Sequence, residues 1–258
     1  MMNREVNWLA IGASLALAAC GGDGSTDPTN GGNGGGNGGG AAAVAEVSGS
    51  GQTGKTLEAL GNPFVVLVTD AEGAAVSGAT VSWAVVEGTG SLSSASSTTN
   101  VQGRASVTFT PGATLGSSTV RATVSGVSQG VDFTVETTVI VVRMQNTAFV
   151  APQGGDDITV PLGTVVEWVN LDAVQHTATS SATPAGGEAF DTGLMGNGER
   201  RQFTPGVEGT WTYLCEVHPG IMVNAMITVV SGSAGSSGDQ PGDSNNPGNP
   251  DDPYDPTN

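Results

Sequence analysis

Residues 215–222 read CEVHPGIM and lie between two short runs rich in β-branched and aromatic side chains. The run before them, residues 210–214, is TWTYL, and the run after them, residues 223–230, is VNAMITVV. Runs of this length and composition are typical of β-strands. The Pro219-Gly220 pair would bend the chain between them. The sequence therefore predicts two strands joined by a tight loop that carries a thiol, an imidazole and a thioether.

The side chains of this loop are those of a soft metal site. Thiolate and thioether are soft ligands, and imidazole suits copper. The chain contains only two histidines, His176 and His218. One Cys, two His and a weak, distant Met make up the ligand pattern of type 1, or blue, copper sites that carry single electrons. We therefore predict one copper ion held by His176, Cys215 and His218, with Met222 as the weak fourth ligand.

Other assignments of these residues explain fewer of them. Met226 falls inside the predicted second strand and Met195 in a Gly-flanked loop, so both are poorer fourth ligands than the methionine of the loop itself. Zinc favours Cys, His and carboxylate in a tetrahedron and gains little from a thioether. A nucleophile pair of Cys215 and His218 is conceivable, but it leaves the other histidine without a role. With both histidines committed to a metal, no Ser-His-Asp arrangement remains, and we predict that the protein is not an enzyme.

The loop belongs to the second of two predicted β units, residues 138–230. Trp211, Tyr213 and Cys215 alternate onto one face of the strand that enters it, which predicts that the sulfur is sheltered in the core. This unit resembles the cupredoxins, close to plastocyanin, pseudoazurin and related bacterial blue-copper domains, and the resemblance implies a Greek-key β-sandwich. It is carried by residues 165–170, 176–180, 190–194 and 213–222.

The resemblance also implies roles for single residues. It implies the same four copper ligands as the donor chemistry does. Asn170 occupies the position of an asparagine that is often found before the ligand loop. Thr177 follows the first histidine, where many members carry an Asn that hydrogen-bonds across the site. A Thr hydroxyl could steady the cysteine loop in the same way, though more weakly.

Residues 41–137 read as a first β unit, in which short runs rich in Val, Thr and aromatics alternate with Gly, Asn and Asp turns. Val81, Trp83 and Val85 share one face of such a run. Strands at this spacing predict a sandwich. The unit contains no His and no Cys, so we predict no metal site in it. It resembles bacterial immunoglobulin-like repeats of the invasin type, which implies a spacer or an adhesive surface. The resemblance is carried by residues 51–54, 68–81 and 99–105.

Both ends of the chain are predicted to lie outside the two β units. Residues 1–19 read as a secretory signal peptide. Its end, LAAC followed by Gly, resembles the lipobox of bacterial lipoproteins, which implies cleavage before Cys20 and acylation of that residue. Residues 20–40 then form a Gly- and Asn-rich tether, and residues 231–258 form an acidic tail. Neither can bury a core, so both are predicted to be disordered.

The charge of the chain limits its partners. The formal net charge is −17, with 7 Lys and Arg against 24 Asp and Glu. This balance excludes nucleic acid, which needs a basic surface, and a polybasic membrane contact. The predicted lipid anchor is therefore the only membrane attachment, in the outer membrane if the host has one. The acidic balance suits a basic protein partner.

These observations together predict a lipid-anchored protein of the cell envelope whose type 1 copper site passes single electrons between redox partner proteins. The resemblance to blue-copper proteins implies that the electron passes through the exposed edge of His218, with Pro219, Gly220 and Ile221 as an apolar docking patch. Two other functions remain open at this point. One is copper binding or delivery without electron transfer, and the other is surface adhesion by the immunoglobulin-like unit.

Overall fold

The structure is a computed structural model that describes residues 40–232. Across these residues the chain forms seventeen strands and no helix, so the predicted all-β class is confirmed. No helix in this part of the chain could cross a bilayer. The predicted signal peptide, Cys20, nearly all of the tether and nearly all of the tail lie outside the described residues.

Alternating burial accounts for the strands of the first sandwich, residues 41–137. In the run FVVLVT, Phe64, Val66 and Val68 are buried, while the residues between them are partly exposed. Phe133 stacks on Phe64 with ring centroids 4.7 Å apart, and Trp83 packs on the ring of Phe133. The strands are β1 (Ala43–Ser48), β2 (Gln52–Lys55), β3 (Phe64–Thr69), β4 (Thr80–Glu87), β5 (Gly90–Leu92), β6 (Ser96–Thr98), β7 (Arg104–Val107), β8 (Phe109–Pro111), β9 (Gly116–Val124) and β10 (Val131–Met144).

The second sandwich, residues 138–230, is built around a separate core. Trp168 stacks on Phe190 and meets Tyr213 edge-on, and these rings are buried together with Trp211. Cys215 belongs to the same core, as the alternation of its strand predicts. Its strands are the second half of β10, then β11 (Phe149–Val150), β12 (Ile158–Pro161), β13 (Val165–Asn170), β14 (Thr179–Ala182), β15 (Arg200–Phe203), β16 (Gly209–Leu214) and β17 (Ala225–Val230).

The strand order shows how each sandwich is layered. In the first, a three-stranded sheet β1-β3-β7 faces the strands β10-β9-β4-β6, and β5 pairs with β8. In the second, the strands β15-β13-β10 face a four-stranded sheet β12-β17-β16-β14. β10 pairs in parallel with β13, and β12 in parallel with β17. The predicted immunoglobulin-like sandwich followed by a cupredoxin-type sandwich is therefore the fold of the described chain.

One strand, β10, belongs to both sandwiches. The sequence predicts separate strand-like runs at residues 131–135 and 139–143, with a domain boundary between residues 137 and 138. The structure joins the two runs into a single strand of 14 residues that crosses this position. Its first half pairs with β9 and its second half with β13. The two cores are distinct on either side, since Val135 lies in one and Ile140 in the other.

Candidate metal centre

The ligand loop is a tight turn between β16 and β17. The Cys215 N–H donates to the carbonyl of Met222 at 2.9 Å, which closes the loop at its base. Within it, the N–H groups of His218 and Met222 donate to the carbonyls of Cys215 and His218, respectively. Asn224 has φ 61°, in the left-handed region, where the chain turns into β17. The loop is therefore fixed by its own backbone rather than by side-chain packing alone.

The fold brings His176 to this loop from the connection between β13 and β14. His176 Nδ1 lies 3.7 Å from Cys215 Sγ, and His218 Nδ1 lies 3.6 Å from the same sulfur. The three ligand atoms lie within 4.8 Å of one another. Cys215 and His176 are fully buried, whereas His218 is partly exposed. Of the sequence-predicted ligands, the two histidines and the cysteine are thus shown to converge.

These separations fit one metal ion between the three atoms. Imidazole nitrogen and thiolate sulfur bind a zinc-sized ion at about 2.0 and 2.3 Å, so on one ion they lie roughly 3.5–3.7 Å apart at tetrahedral to trigonal angles. The observed 3.6 and 3.7 Å match that range without rearrangement. Sulfur and imidazole donors together favour copper or zinc over a hard cation such as magnesium or calcium. The residues present therefore fit copper.

Met222 lies four residues after His218, and this residue is 1% exposed. It is packed in the core that contains Cys215. Met226, the alternative in β17, is 37% exposed and stands on the outer face of its strand. Met195 is buried and pairs with His176 through two main-chain hydrogen bonds of 3.2 and 2.8 Å. A buried thioether inside the ligand loop keeps Met222 as the predicted fourth ligand.

Thr177 bridges the two parts of the site. Its N–H donates to Cys215 Sγ at 3.3 Å, a contact that stabilises negative charge on the sulfur. Its hydroxyl oxygen accepts a hydrogen bond of 2.8 Å from the N–H of Glu216. The hydroxyl therefore joins the segment that carries His176 to the cysteine loop, in the place where the cupredoxin resemblance expects an Asn side chain.

Asn170 fixes the loop that carries His176. This residue is fully buried at the end of β13. Its amide nitrogen donates to the carbonyls of Val174 at 2.8 Å and Met195 at 2.7 Å. Its side-chain oxygen accepts from the N–H of Asp172 at 2.9 Å. One side chain thus satisfies three buried or part-buried backbone groups on both sides of His176.

Asp172 holds the second nitrogen of His176, a role that the sequence did not reveal. His176 Nε2 lies 2.9 Å from Asp172 Oδ2. In the neutral imidazole, a proton on Nε2 that donates to this carboxylate leaves Nδ1 free to bind a metal. Asn146 and Thr147, both with φ 56°, aim their N–H groups at the same carboxylate. A four-residue spacing brings two side chains together on a helix, but this segment is a loop, so only the fold could identify the contact.

The surroundings keep Asp172 ionised. The Thr147 N–H has the largest effect and lowers the pKa of this carboxyl. Partial burial opposes it, while the Asn146 N–H and His176 lower the pKa further. The pKa therefore stays below the ordinary range for aspartate, and at neutral pH the carboxylate can accept a hydrogen bond from His176 Nε2–H.

Among known protein families, a match is found for the first of the two sandwiches. Residues 59–139 match the family model of the bacterial Ig-like domain (group 1). The predicted immunoglobulin-like resemblance is therefore confirmed over that range. No curated protein matches the chain.

Solved structures of amicyanin are similar to part of the chain. They include a copper(I) form of a methionine-to-glutamine variant and an oxidised proline-to-alanine variant, each 24% identical. A reduced tryptophan-to-tyrosine variant is 22% identical. Each match covers 36% of this chain and 83% of the amicyanin chain, with a TM-score of 0.31. Function is therefore inferred from the residues of the site alone.

Replacing Asp172 with alanine is expected to weaken copper binding by about 10–100-fold, the usual cost of losing the partner of a histidine ligand. His176 would then lose the contact that fixes its ring and its tautomer. The measurement is competitive titration of Cu(II) against a chelator of known affinity. Asp172→Asn keeps an oxygen acceptor and should restore part of the loss. An alanine variant that binds copper as tightly as the parent would contradict the role given to this residue.

Proposed function

We propose that residues 138–230 bind one copper ion in a type 1 site and transfer single electrons. The observation that carries this proposal is the convergence of two imidazole Nδ1 atoms on one buried sulfur at 3.6 and 3.7 Å. Bound copper would supply a one-electron redox couple. The chain would supply a set of ligands whose positions are held before the metal arrives.

The rigidity of the site supports electron transfer over copper delivery. The ligand loop, Thr177, Asn170 and Asp172 hold the donors through main-chain and side-chain hydrogen bonds. Ligands fixed in this way resist rearrangement between oxidation states, which favours fast electron exchange. The burial of Cys215 and His176 excludes water from the sulfur side. A closed set of donors leaves no space for a substrate, so we propose no enzymatic activity.

The partly exposed His218 is the proposed point of electron entry and exit. Around it the ligand loop presents apolar side chains to solvent, with Ile221 71% and Val217 42% exposed. Neighbouring exposed apolar side chains are a feature of protein-interaction surfaces, whereas single exposed ones are ordinary. We propose that a redox partner protein docks on this end of the sandwich.

The experiment that tests the site is a titration of the metal-free protein with Cu(II), followed by visible absorption. An intense thiolate charge-transfer band that saturates at one copper per chain is expected, together with reversible bleaching by a reductant. Copper bound without this band, or zinc bound in preference to copper, would contradict a type 1 site.

The electron route has its own test. His218→Gly opens the exposed side of the site, so reduction of the copper-loaded protein by a protein donor should slow markedly. Added imidazole can occupy the opened position, and it should restore the visible band. If the glycine variant accepted electrons from the donor at the parental rate, the proposed route through His218 would be wrong.

We further propose that the protein is anchored to the cell envelope through lipid on Cys20. The support is the sequence LAACG at the end of a secretory signal. Several acyl chains on one residue give a stable anchor, unlike a single chain. Metabolic labelling with a fatty-acid analogue should mark the parent protein and leave Cys20→Ser unlabelled. A labelled serine variant would contradict lipidation at this position.

A further inference from the structure

A buried carboxylate, Glu167, lies where the two sandwiches meet. Its side chain is 3% exposed. Lys55 Nζ donates to both of its oxygens, at 2.8 and 2.7 Å. Gln202 Nε2 donates at 2.5 Å, and the Arg200 guanidinium also contacts it. Arg200 in turn bonds Glu58 at 2.7 Å. We refer to these five side chains as the Glu167 cluster.

The members of the Glu167 cluster come from both sandwiches. Lys55 ends β2 and Glu58 follows it, so both belong to the first sandwich. The other three lie on β13 and β15 of the second sandwich. A buried carboxylate is costly unless it is paired and fully hydrogen-bonded. The second sandwich therefore contains a buried carboxylate, Glu167. The first sandwich supplies Lys55, one of the two cations that pair with it.

The hydrogen bonds of Glu167 keep it ionised. Burial is the largest effect and by itself raises the pKa of this carboxyl. Hydrogen bonds from Lys55, Gln202 and Arg200 together outweigh burial, so the pKa lies below the ordinary value for glutamate. The carboxylate is charged at neutral pH and depends on all three donors.

Backbone contacts join the same segments. β2 pairs in parallel with β10. The Val141 N–H donates to the buried Thr56 hydroxyl at 2.9 Å, and the Thr56 N–H donates to the Val139 carbonyl at 3.0 Å. Arg143 donates to the carbonyl of Leu57 at 3.0 Å. β10 itself contains neither Gly nor Pro, the residues at which a strand most readily bends. The pairing of β10 with β2 continues across the passage between the sandwiches, with one register shift between Thr137 and Val139.

The Glu167 cluster also has members on β13, the strand that leads into the loop of His176, and on its neighbour β15. Glu167 lies three residues before Asn170 on β13. Arg200 follows Glu199, whose carbonyl accepts the Asn170 N–H at 3.1 Å. Asn170 is the side chain that fixes the loop of His176. The residues that join the sandwiches and those that support the site are thus neighbours on the same two strands.

We propose that residues 52–58 of the first sandwich are a structural component of the second, so that the two sandwiches form one rigid, cooperatively unfolding unit. The immunoglobulin-like sandwich is then a fixed mount for the metal centre and not a flexible spacer. This inference rests on the contacts between the sandwiches and stands without the metal.

Hydrogen exchange with mass spectrometry, in increasing urea and without metal, tests the proposal on the full chain. Peptides from the cores of both sandwiches should show the same urea-dependent opening. A first sandwich that opens at lower urea while the second stays protected would overturn the proposal. Because this measurement uses the parent sequence, its result does not depend on whether any variant folds.

A pair of matched variants tests the Glu167 cluster itself. Lys55→Met removes the amine between the sandwiches, and opening of peptides from β2 and β10 should increase about tenfold or more. Arg121→Met removes a cation of an exposed ion pair with Asp132 inside the first sandwich, and it should change opening little. Equal effects of the two variants would contradict a special role for Lys55.

One equivalent of Cu(II) extends the test, and this arm alone rests on the proposed function. If the sandwiches are coupled, copper should slow exchange in the cores of both. Slower exchange only in residues 138–230 would overturn the coupling. No slowing in either would count against the copper site, and the metal-free measurement would still decide the coupling.

Discussion

Cys215→Ser is expected to remove the intense visible band of the copper-loaded protein completely. The band requires a thiolate bonded to Cu(II), and Cys215 is the only cysteine in the described residues 40–232. Copper affinity should also fall by more than about 100-fold, since loss of a charged ligand exceeds the usual 10–100-fold cost of losing a ligand's hydrogen-bond partner. The measurement is the same Cu(II) titration, with circular dichroism to show that the β-fold is retained.

Met222→Leu is the matched control for the cysteine variant. It removes a buried sulfur from the same loop and nearly preserves the volume of the side chain. Because the proposed fourth ligand is weak, the band should persist in this variant while the reduction potential changes. A strong thiolate-like band in Cys215→Ser would overturn the assignment of the sulfur ligand. An unchanged potential in Met222→Leu would remove Met222 from the ligand set.

Asn170→Ala is expected to lower the free energy of unfolding by about 2–4 kcal/mol. The side chain donates hydrogen bonds to two carbonyls and accepts one from an N–H around the loop of His176. Alanine leaves these groups without their partner, and each buried polar group left unsatisfied costs about 1–3 kcal/mol. Urea unfolding of the metal-free protein measures the change. The loosened loop should also bind copper more weakly.

Asn197→Ala provides the comparison for Asn170. Asn197 is exposed and donates one hydrogen bond of 3.1 Å to the carbonyl of Asp172. A surface substitution of this kind should change the free energy of unfolding by less than about 0.5 kcal/mol. If Asn170→Ala were as mild as Asn197→Ala, the buried amide would not be what fixes the loop.

Local pattern was enough to predict the strands and three members of the site. Strand predictions succeed here because one face of each strand is buried, so apolar residues recur at every second position. Residues 210–214 fall within β16, whereas Val223 and Asn224 of the following run remain in the turn before β17. The donor chemistry was equally local, since Cys215 and His218 lie three residues apart and only one other histidine exists.

The supporting groups of the site lie beyond such local reasoning. The carboxylate of Asp172 that contacts His176 also accepts two N–H groups from the hairpin between β10 and β11. Asn146 and Thr147, which provide them, are 25 or more residues away in sequence. Nothing in the residue types near His176 distinguishes Asp172 from the other acids of the chain.

The sequence by itself determined the all-β class, the two sandwiches and the candidate donors His176, Cys215 and His218, because each depends on residue type or on short spacing. The tertiary structure alone decided how these parts are joined. It made β10 one continuous strand and placed Lys55 on Glu167, 112 residues away. Long-range pairs of this kind leave no periodic pattern in the sequence, because the fold brings the two residues together and their spacing along the chain does not.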